Sequence, residues 1–260
     1  MRLIDSVFLL RVQDLKISLI TVCYNAESTI DHCIQSVISQ SLKNIEYIII
    51  DGGSTDNTVQ IINQYKDHID IFVSEPDAGI YDAMNKGIKL AGGDVIGILN
   101  ADDSFTDEDV LRIVAEAFKQ HEVQVTYGDL DYVNTEGDIL RKWRSGIYSK
   151  GMFNRGWMPP HPTFYCKREL FYKYGFYSLG YGTAADYELM LRFMHQNGVN
   201  AFYIKKVLIN MKTGGISNKS FGNRVKGLFF DLKAMRNNGI LLPVITLICK
   251  PLRKIGQYFS

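Results

Sequence analysis

Over its first hundred residues the chain alternates between two hydrophobic rhythms. The runs ISLITVCYN (17–25), IEYIIID (45–51), IDIFVSE (69–75) and DVIGILN (94–100) are short, nearly continuous and rich in Ile. That is the pattern of strands buried on both faces of a parallel sheet. Between the runs the apolar period lengthens to that of a helix. Ile30, Cys33, Ile34, Val37 and Ile38 mark a helix over 28–40, TVQIINQY a second over 58–65, and Ile80, Ala83, Met84, Gly87, Ile88 and Ala91 a third, which Gly92 and Gly93 terminate. Repeated βα units predict a doubly wound α/β sheet with right-handed crossovers. Open sheets of this kind bind ligands beyond the carboxyl ends of their strands. Two of the predicted ends are acidic turns, DGGSTDNT (51–58) and NADDSF (100–105).

Composition fits one sizeable core, with 260 residues, 46% of them hydrophobic and 22% charged. The formal net charge of +1 conceals an asymmetry. Residues 201–260 hold eleven Lys and Arg against the single acid Asp231, leaving 18 of the 29 basic and 27 of the 28 acidic side chains to the first 200 positions. An acidic body followed by a basic tail favours anionic partners such as phosphates or a lipid headgroup surface; a nucleic-acid partner is not expected. Cys23, Cys33, Cys166 and Cys249 form no CxxC pair and read as reduced core residues of a cytoplasmic protein. The apolar patch Val7 to Leu10, flanked by Asp5 and Asp14, is too short and too acidic for a secretory signal. No segment reaches the roughly 20 apolar residues of a membrane span.

Acidic turns at adjacent strand ends are the layout of a nucleotide and metal site, because a diphosphate needs a hard cation with oxygen ligands. In NADD, Thr106 followed by Asp107, Glu108 and Asp109 supplies its own helix start, which leaves Asp102 and Asp103 free for a metal or substrate. In DGGSTDNT, Ser54, Thr55 and Asp56 serve equally well as caps, so on its own that turn supports a structural and a functional reading alike.

Taken together, ISLITVCYNAESTI, IIIDGGSTDNT and ILNADD resemble the nucleotide-sugar-binding half of family 2 glycosyltransferases, and the resemblance runs from about Ile17 to Ile216. It implies a GT-A nucleotide-diphospho-sugar transferase fold, a Rossmann-like, mostly parallel sheet with flanking helices. Residues 17–105 would form the nucleotide-sugar half and 106–220 the acceptor half, after an extension over 1–16 and before a basic, apolar tail over 221–260. It further implies that Thr21, Cys23, Tyr24, Asn25, Glu27, Asp51 and Gly52 hold the nucleoside. The family's Asp-x-Asp motif falls on Asn100-Ala101-Asp102, with Asp102 the ligand of Mn²⁺ or Mg²⁺ and Asp103 its neighbour. Asn100 departs from the pattern; it can accept a hydrogen bond but carries no charge. In SEPDAGIYDAMNKGI the resemblance brings Glu75, Asp77 and Tyr81 to Lys86 toward the donor, with Lys86 either on a phosphate or solvated.

The resemblance assigns the second half to the acceptor. WMPPHPTFYCKRELFYKYGFY (157–177) is dense in aromatic rings; Trp157 and its neighbours could stack on a sugar or simply pack a strand–helix unit. His161, between Pro160 and Pro162, has a restricted backbone and so a directed imidazole. GTAADYELMLRFM (182–194) opens a helix whose Leu189, Met190, Phe193 and Met194 face the core. Asp186 at its start matches the Asp of the family's Glu-Asp motif, with Ala185 in place of the preceding acid. It would act as the general base of an inverting transfer; read without the family it is a helix N-terminal acid. Glu188 is the fallback base. Gly214, Gly215 and Ser217, between Lys212 and Lys219, could close over a diphosphate. The apolar run 240–249 before Lys250, Arg253 and Lys254 suits either an anionic interface on the cytoplasmic face of the inner membrane or docking on the domain itself.

The resulting expectation is an inverting glycosyltransferase with a nucleotide-diphosphate sugar donor and a glycan or polyprenyl-diphosphate-linked acceptor in surface polysaccharide synthesis. Two other readings stand beside it. One is a nucleotidyltransferase making the nucleotide sugar, whose Gly-rich, Arg/Lys-containing N-terminal loop is missing here. The other is a silent sugar- or nucleotide-binding partner of another transferase, which the Asn100 and Ala185 departures allow.

Overall fold

The computed structural model describes residues 15–212, 221–255 and 257. The predicted N-terminal extension up to Asp14 and the predicted loop at Gly214, Gly215, Ser217 and Lys219 lie outside the described residues. In chain order the strands are β1 (Ile17–Cys23), β2 (Ile45–Asp51), β3 (Ile71–Ser74), β4 (Val95–Asn100), β5 (Asp103–Phe105), β6 (Val125–Val133), β7 (Ile139–Trp143), β8 (Tyr165–Lys167) and β9 (Ala201–Lys212). The helices are α1 (Ile30–Ile38), α2 (Thr58–Asn63), α3 (Ile80–Leu90), α4 (Val110–His121), α5 (Glu169–Tyr174), α6 (Ala185–Met190), α7 (Phe221–Asn237) and α8 (Pro243–Ile255).

One sheet of nine strands runs in the order β3-β2-β1-β4-β8-β6-β9-β5, with β7 paired to β6. The first four neighbours are parallel, as the βα repeats predict. Beyond β4 the sheet is mixed, because β8 pairs antiparallel with both β4 and β6 whereas β9 runs parallel to β6. The continuous apolar runs are explained by burial on both faces. Ile20, Val22, Ile48, Ile50, Ile96 and Ile98 pack on the side of α3. Leu19, Cys23, Tyr47, Ile49, Val95 and Leu99 pack on the side of α1, α2 and α4. Each fully buried aliphatic side chain contributes about 1.5–3 kcal/mol, so the two faces hold this half of the sheet rigid. α3 comes very close to the sheet at Gly87, where a Cβ would lie 2.5 Å from Ile20 Cγ2.

Register then sets the site. Cys23 pairs with Asp51 and Val22 with Asn100, so β1, β2 and β4 end at one level and deliver both acidic turns to the same edge. The second half brings its residues to that edge on short elements. His161 lies in a 3₁₀ turn (His161–Thr163), and α6 follows another (Leu179–Ala184) before continuing as a π-helical segment (Leu191–Gln196). Leu189, Met190, Phe193 and Met194 are all buried, as their spacing predicts.

Candidate active site

The DGGST turn is organised by Asp51, which is buried at the end of β2. Its Oδ2 accepts from the backbone N–H of Gly53 and Ser54 and from the Ser74 hydroxyl at 2.7–3.2 Å, and its Oδ1 from the Ser54 hydroxyl. Burial alone would raise this carboxyl, but the donors, led by Ser54 and Ser74, bring it below the usual range, so it is a fixed anion. The neighbouring Asn25 adopts a left-handed φ of 48° and accepts from Thr55 N–H at 2.9 Å, while Glu27 accepts from the backbone and side chain of Asn57. Asn25 and Glu27 therefore clamp the β1–α1 loop to the turn. Above the turn Tyr24 is exposed, and a Cβ on Gly52 would lie 2.5 Å from Asp77 Oδ2 and 3.5 Å from the Tyr24 ring. Tyr24, Gly52 and Asp77 thus form an open shelf over a rigid floor.

At the end of β4, Ala101 is buried and Asp102 partly exposed. Asp103 turns inward on β5. Burial first, and the charge of Asp102 second, push its carboxyl well above the usual range. Asn100 Nδ2 lies 3.1 Å from Asp103 Oδ2 and 3.3 Å from His161 Nε2. With the amide donating to Nε2, the imidazole proton is on Nδ1, which is 3.5 Å from Asp186 Oδ2. The other Asp186 oxygen accepts from Tyr187 N–H at 2.7 Å and from the Tyr81 hydroxyl at 3.3 Å. Burial, then the Asp186 charge, raise the Tyr81 phenol well above its ordinary value, keeping it a neutral donor. A chain of polar contacts therefore links the β4 end to Asp186, with hydrogen bonds across 61 residues from Asn100 to His161 and 105 from Tyr81 to Asp186 and the 3.5 Å His161–Asp186 contact between them.

One sheet edge thus carries an open shelf and a carboxylate held by two donors. The family model for Glycosyl transferase family 2 matches residues 18–210.

The chain belongs to glycosyltransferase family 2.

It is 30% identical over 207 residues to the PGL/p-HBAD biosynthesis glycosyltransferase of Mycobacterium tuberculosis, covering 77% of this chain and 78% of the relative. Over 188 residues it is 34% identical to an uncharacterized glycosyltransferase of the same organism, covering 68% of each. Among solved structures it is similar to S. aureus TarS in complex with UDP, with a TM-score of 0.68, 17% identity, and coverage of 93% of this chain and 72% of that one. A similar match is the mannosyltransferase PcManGT from Pyrobaculum calidifontis in complex with GDP-Man and Mn²⁺, with a TM-score of 0.65, 16% identity, and coverage of 92% and 72%. At these identities the likeness is one of fold, the GT-A fold of glycosyltransferases. The chain is an enzyme of sugar transfer.

Several expected site residues of this family 2 glycosyltransferase are engaged elsewhere. Thr21 is fully buried beneath the shelf and bonded to the Tyr47 hydroxyl at 3.2 Å, so its side chain faces the core. Cys23 is buried with its thiol raised, by burial first and then by Asp51, and offers no thiolate. Lys86 pairs with Glu75 at 2.9 Å and with the Pro76 carbonyl, so these two candidates neutralise each other. Trp157 is buried among Tyr127, Tyr148 and Phe153, and its Nε1 donates to the Ser145 carbonyl at 2.8 Å; its face is no open sugar platform. Glu188 is buried in a two-point ion pair with Arg192, both contacts at 2.9 Å, and is not placed to act as a base. Thr106 does not cap α4. Its hydroxyl donates to the Val207 carbonyl on β9, and Asp109 stands at the helix start bonded to Ser41 and Arg112. The inference that capping frees Asp103 therefore fails; burial holds it. Ser74 and the contact of Tyr81 with Asp186 had only weak signals in the sequence, a Ser ending an apolar strand and a Tyr on the exposed side of a helical stripe.

Proposed function

We propose that this glycosyltransferase is inverting, with Asp186 as the base that takes the proton of the acceptor hydroxyl while it attacks the anomeric carbon opposite the leaving diphosphate. The observation that carries this reading is the carboxylate of Asp186, held by the Tyr81 hydroxyl and the Tyr187 N–H and joined through His161 to the end of β4. Fixing the carboxylate before substrate arrives reduces the reorganisation needed in the transition state. The nucleoside of a nucleotide-diphosphate sugar would lie on the shelf of Tyr24, Gly52 and Asp77, over the Asp51 turn. Solved proteins of the same fold with UDP or GDP-Man support a donor of this class.

The residues present fit a divalent cation shared with the donor. Among the described residues no group of three or more His, Cys, Asp or Glu converges on one point. Asp102 is the partly exposed carboxylate at the strand end, and a hard cation such as Mg²⁺ or Mn²⁺ takes few protein carboxylates when diphosphate oxygens complete its shell. When bound, the ion would neutralise charge on the leaving diphosphate. The acceptor is proposed to be a glycan or lipid-linked oligosaccharide of surface polysaccharide synthesis, elongated in the cytoplasm at the inner face of the membrane. Among the described residues no helix is long and apolar enough to cross a membrane.

The test is a thermal-shift screen of UDP-, GDP-, TDP- and CMP-linked sugars with and without Mn²⁺ or Mg²⁺, since a ligand of the native state raises its apparent stability. One metal-dependent stabilisation, lost in Asp102→Ala, is expected. Metal-dependent donor hydrolysis in the same preparation would exclude a silent binding module, whereas donor binding without hydrolysis or transfer would refute catalysis.

A further inference from the structure

Apart from the shelf and the Asp186 chain, the molecule carries a cavity of about 240 Å³ between β7, the segment around Trp157 and α8. Five cations line it: Lys142, Arg144, Lys250, Arg253 and Lys254. Among the described residues the acids that pair with them are Asp131, 2.6 Å from Arg144, and Asp231, 2.7 Å from Lys250. The remaining positive charge is crowded. Burial, then Lys250 and Arg141, bring the Lys254 ammonium down to about 8. Like charges held this closely in a partly enclosed space are stabilised by an anion between them.

The wall of the cavity has a second property. α8 is held on the domain by the Thr246 hydroxyl, which donates to the Asn154 carbonyl at 2.7 Å, and by a close approach at Gly156, where a Cβ would lie 2.5 Å from Lys250 N. On its outer side Val244, Ile245, Ile248 and Leu252 are each more than half exposed. A helix with an apolar outer stripe beside a cationic pocket matches a ligand with a charged head and a hydrocarbon tail. Two of the pocket's cations also face α6, since the charge of Asp186 acts on Lys254 and Lys250 touches the next residue. Lys250 Nζ lies 3.7 Å from the ring centroid of Tyr187, the residue after Asp186.

We propose that this pocket binds the phosphate or diphosphate head of a lipid-borne acceptor, with the apolar stripe of α8 against its hydrocarbon. The assignment rests on the reading of Asp186 as the acceptor base, because it is the pocket's position beside α6 that makes the anion part of an acceptor rather than of the bulk membrane surface.

The chain's two tryptophans, Trp143 and Trp157, both line the cavity, so intrinsic fluorescence reports on it directly. The full chain in EDTA would be titrated with farnesyl diphosphate, farnesol and inorganic pyrophosphate. Farnesyl diphosphate is expected to saturate the signal at a concentration at least about tenfold below either of the others. Arg253→Gln with Lys254→Gln should weaken it about tenfold with an unchanged melting temperature, and Ile245→Ser with Ile248→Ser should erase its advantage over pyrophosphate. Equal responses to farnesol and farnesyl diphosphate would overturn the anion site. Pyrophosphate binding as tightly as farnesyl diphosphate would mean a site for free phosphates and overturn the lipid. Equal competition by vesicles of phosphatidylcholine with phosphatidylglycerol would mean a bulk headgroup site and overturn the acceptor. A failure of the glycosyltransferase reading would appear elsewhere, as an absence of donor-dependent stabilisation in the unaltered chain.

Discussion

Two carboxylates two residues apart, Asp186 and Glu188, are exchanged for their amides in the most decisive perturbation. In Glu188→Gln the side chain keeps its shape and one acceptor but loses its charge. Arg192, 15% exposed, is left facing it. The guanidinium still donates to the carbonyls of Tyr174, Gly175 and Phe176, so it remains hydrogen-bonded but loses its counter-charge. Breaking a buried ion pair on one side costs 3–5 kcal/mol, and the retained bonds put this case near the lower end, about 3 kcal/mol. For a domain of this size that is a fall in melting temperature of roughly 6–12 °C. Catalysis per folded molecule should be unaffected within about threefold, a spread of under 1 kcal/mol. Asp186→Asn is the converse. Its carboxylate is partly exposed and held by two donors, so stability should move by no more than about 1 kcal/mol, whereas loss of a general base lowers kcat by about 10²–10⁴. Denaturant unfolding and initial-rate transfer, both well below the lower melting point, separate the two effects. A thousandfold rate loss in a stable Glu188→Gln, with near-normal turnover in Asp186→Asn, would refute the assignment.

Three further outcomes are expected. Gly52→Ala introduces a Cβ that must displace Asp77 from the shelf, so donor KM should rise about tenfold, or ~1.4 kcal/mol, with little change in melting temperature; an unchanged KM would remove the donor from that shelf. Tyr81→Phe deletes the phenolic donor to Asp186 and should lower kcat about tenfold, the scale of one hydrogen bond to a charged group, with donor KM unchanged in initial-rate kinetics. Finally, the Lys254 ammonium, faced by Lys250, Arg141, Asp231 and Asp186, is charged below about pH 8 and neutral above it. Farnesyl diphosphate binding by tryptophan fluorescence should therefore weaken as pH rises through that value, and Lys254→Gln should flatten the profile.

The amino-acid pattern alone determined the parallel half of the sheet. Strands buried on both faces must be continuously apolar and their helices must repeat every 3.6 residues, so β1, β2, β4, α1 and α3 were legible to within a few positions. It also determined that two strands end in acidic turns and that Asp186 opens a helix, but it took those strands as adjacent, whereas β1 lies between β2 and β4. Tertiary structure alone decided which polar groups are available. Glu188 and Asp186 look equivalent in sequence, yet Arg192 neutralises only the first. Asp102 and Asp103 are adjacent, but Asp102 stays partly exposed in the turn after β4, whereas Asp103 enters β5, whose three residues are all buried. Thr106 has the form of a cap, but β9 offers its hydroxyl a carbonyl about a hundred residues away. The Asn100–His161–Asp186 chain and the cationic pocket under α8 likewise join segments far apart in sequence. Periodicity reports which face a residue takes, a local property; a hydrogen bond or ion pair depends on what packing brings opposite that face.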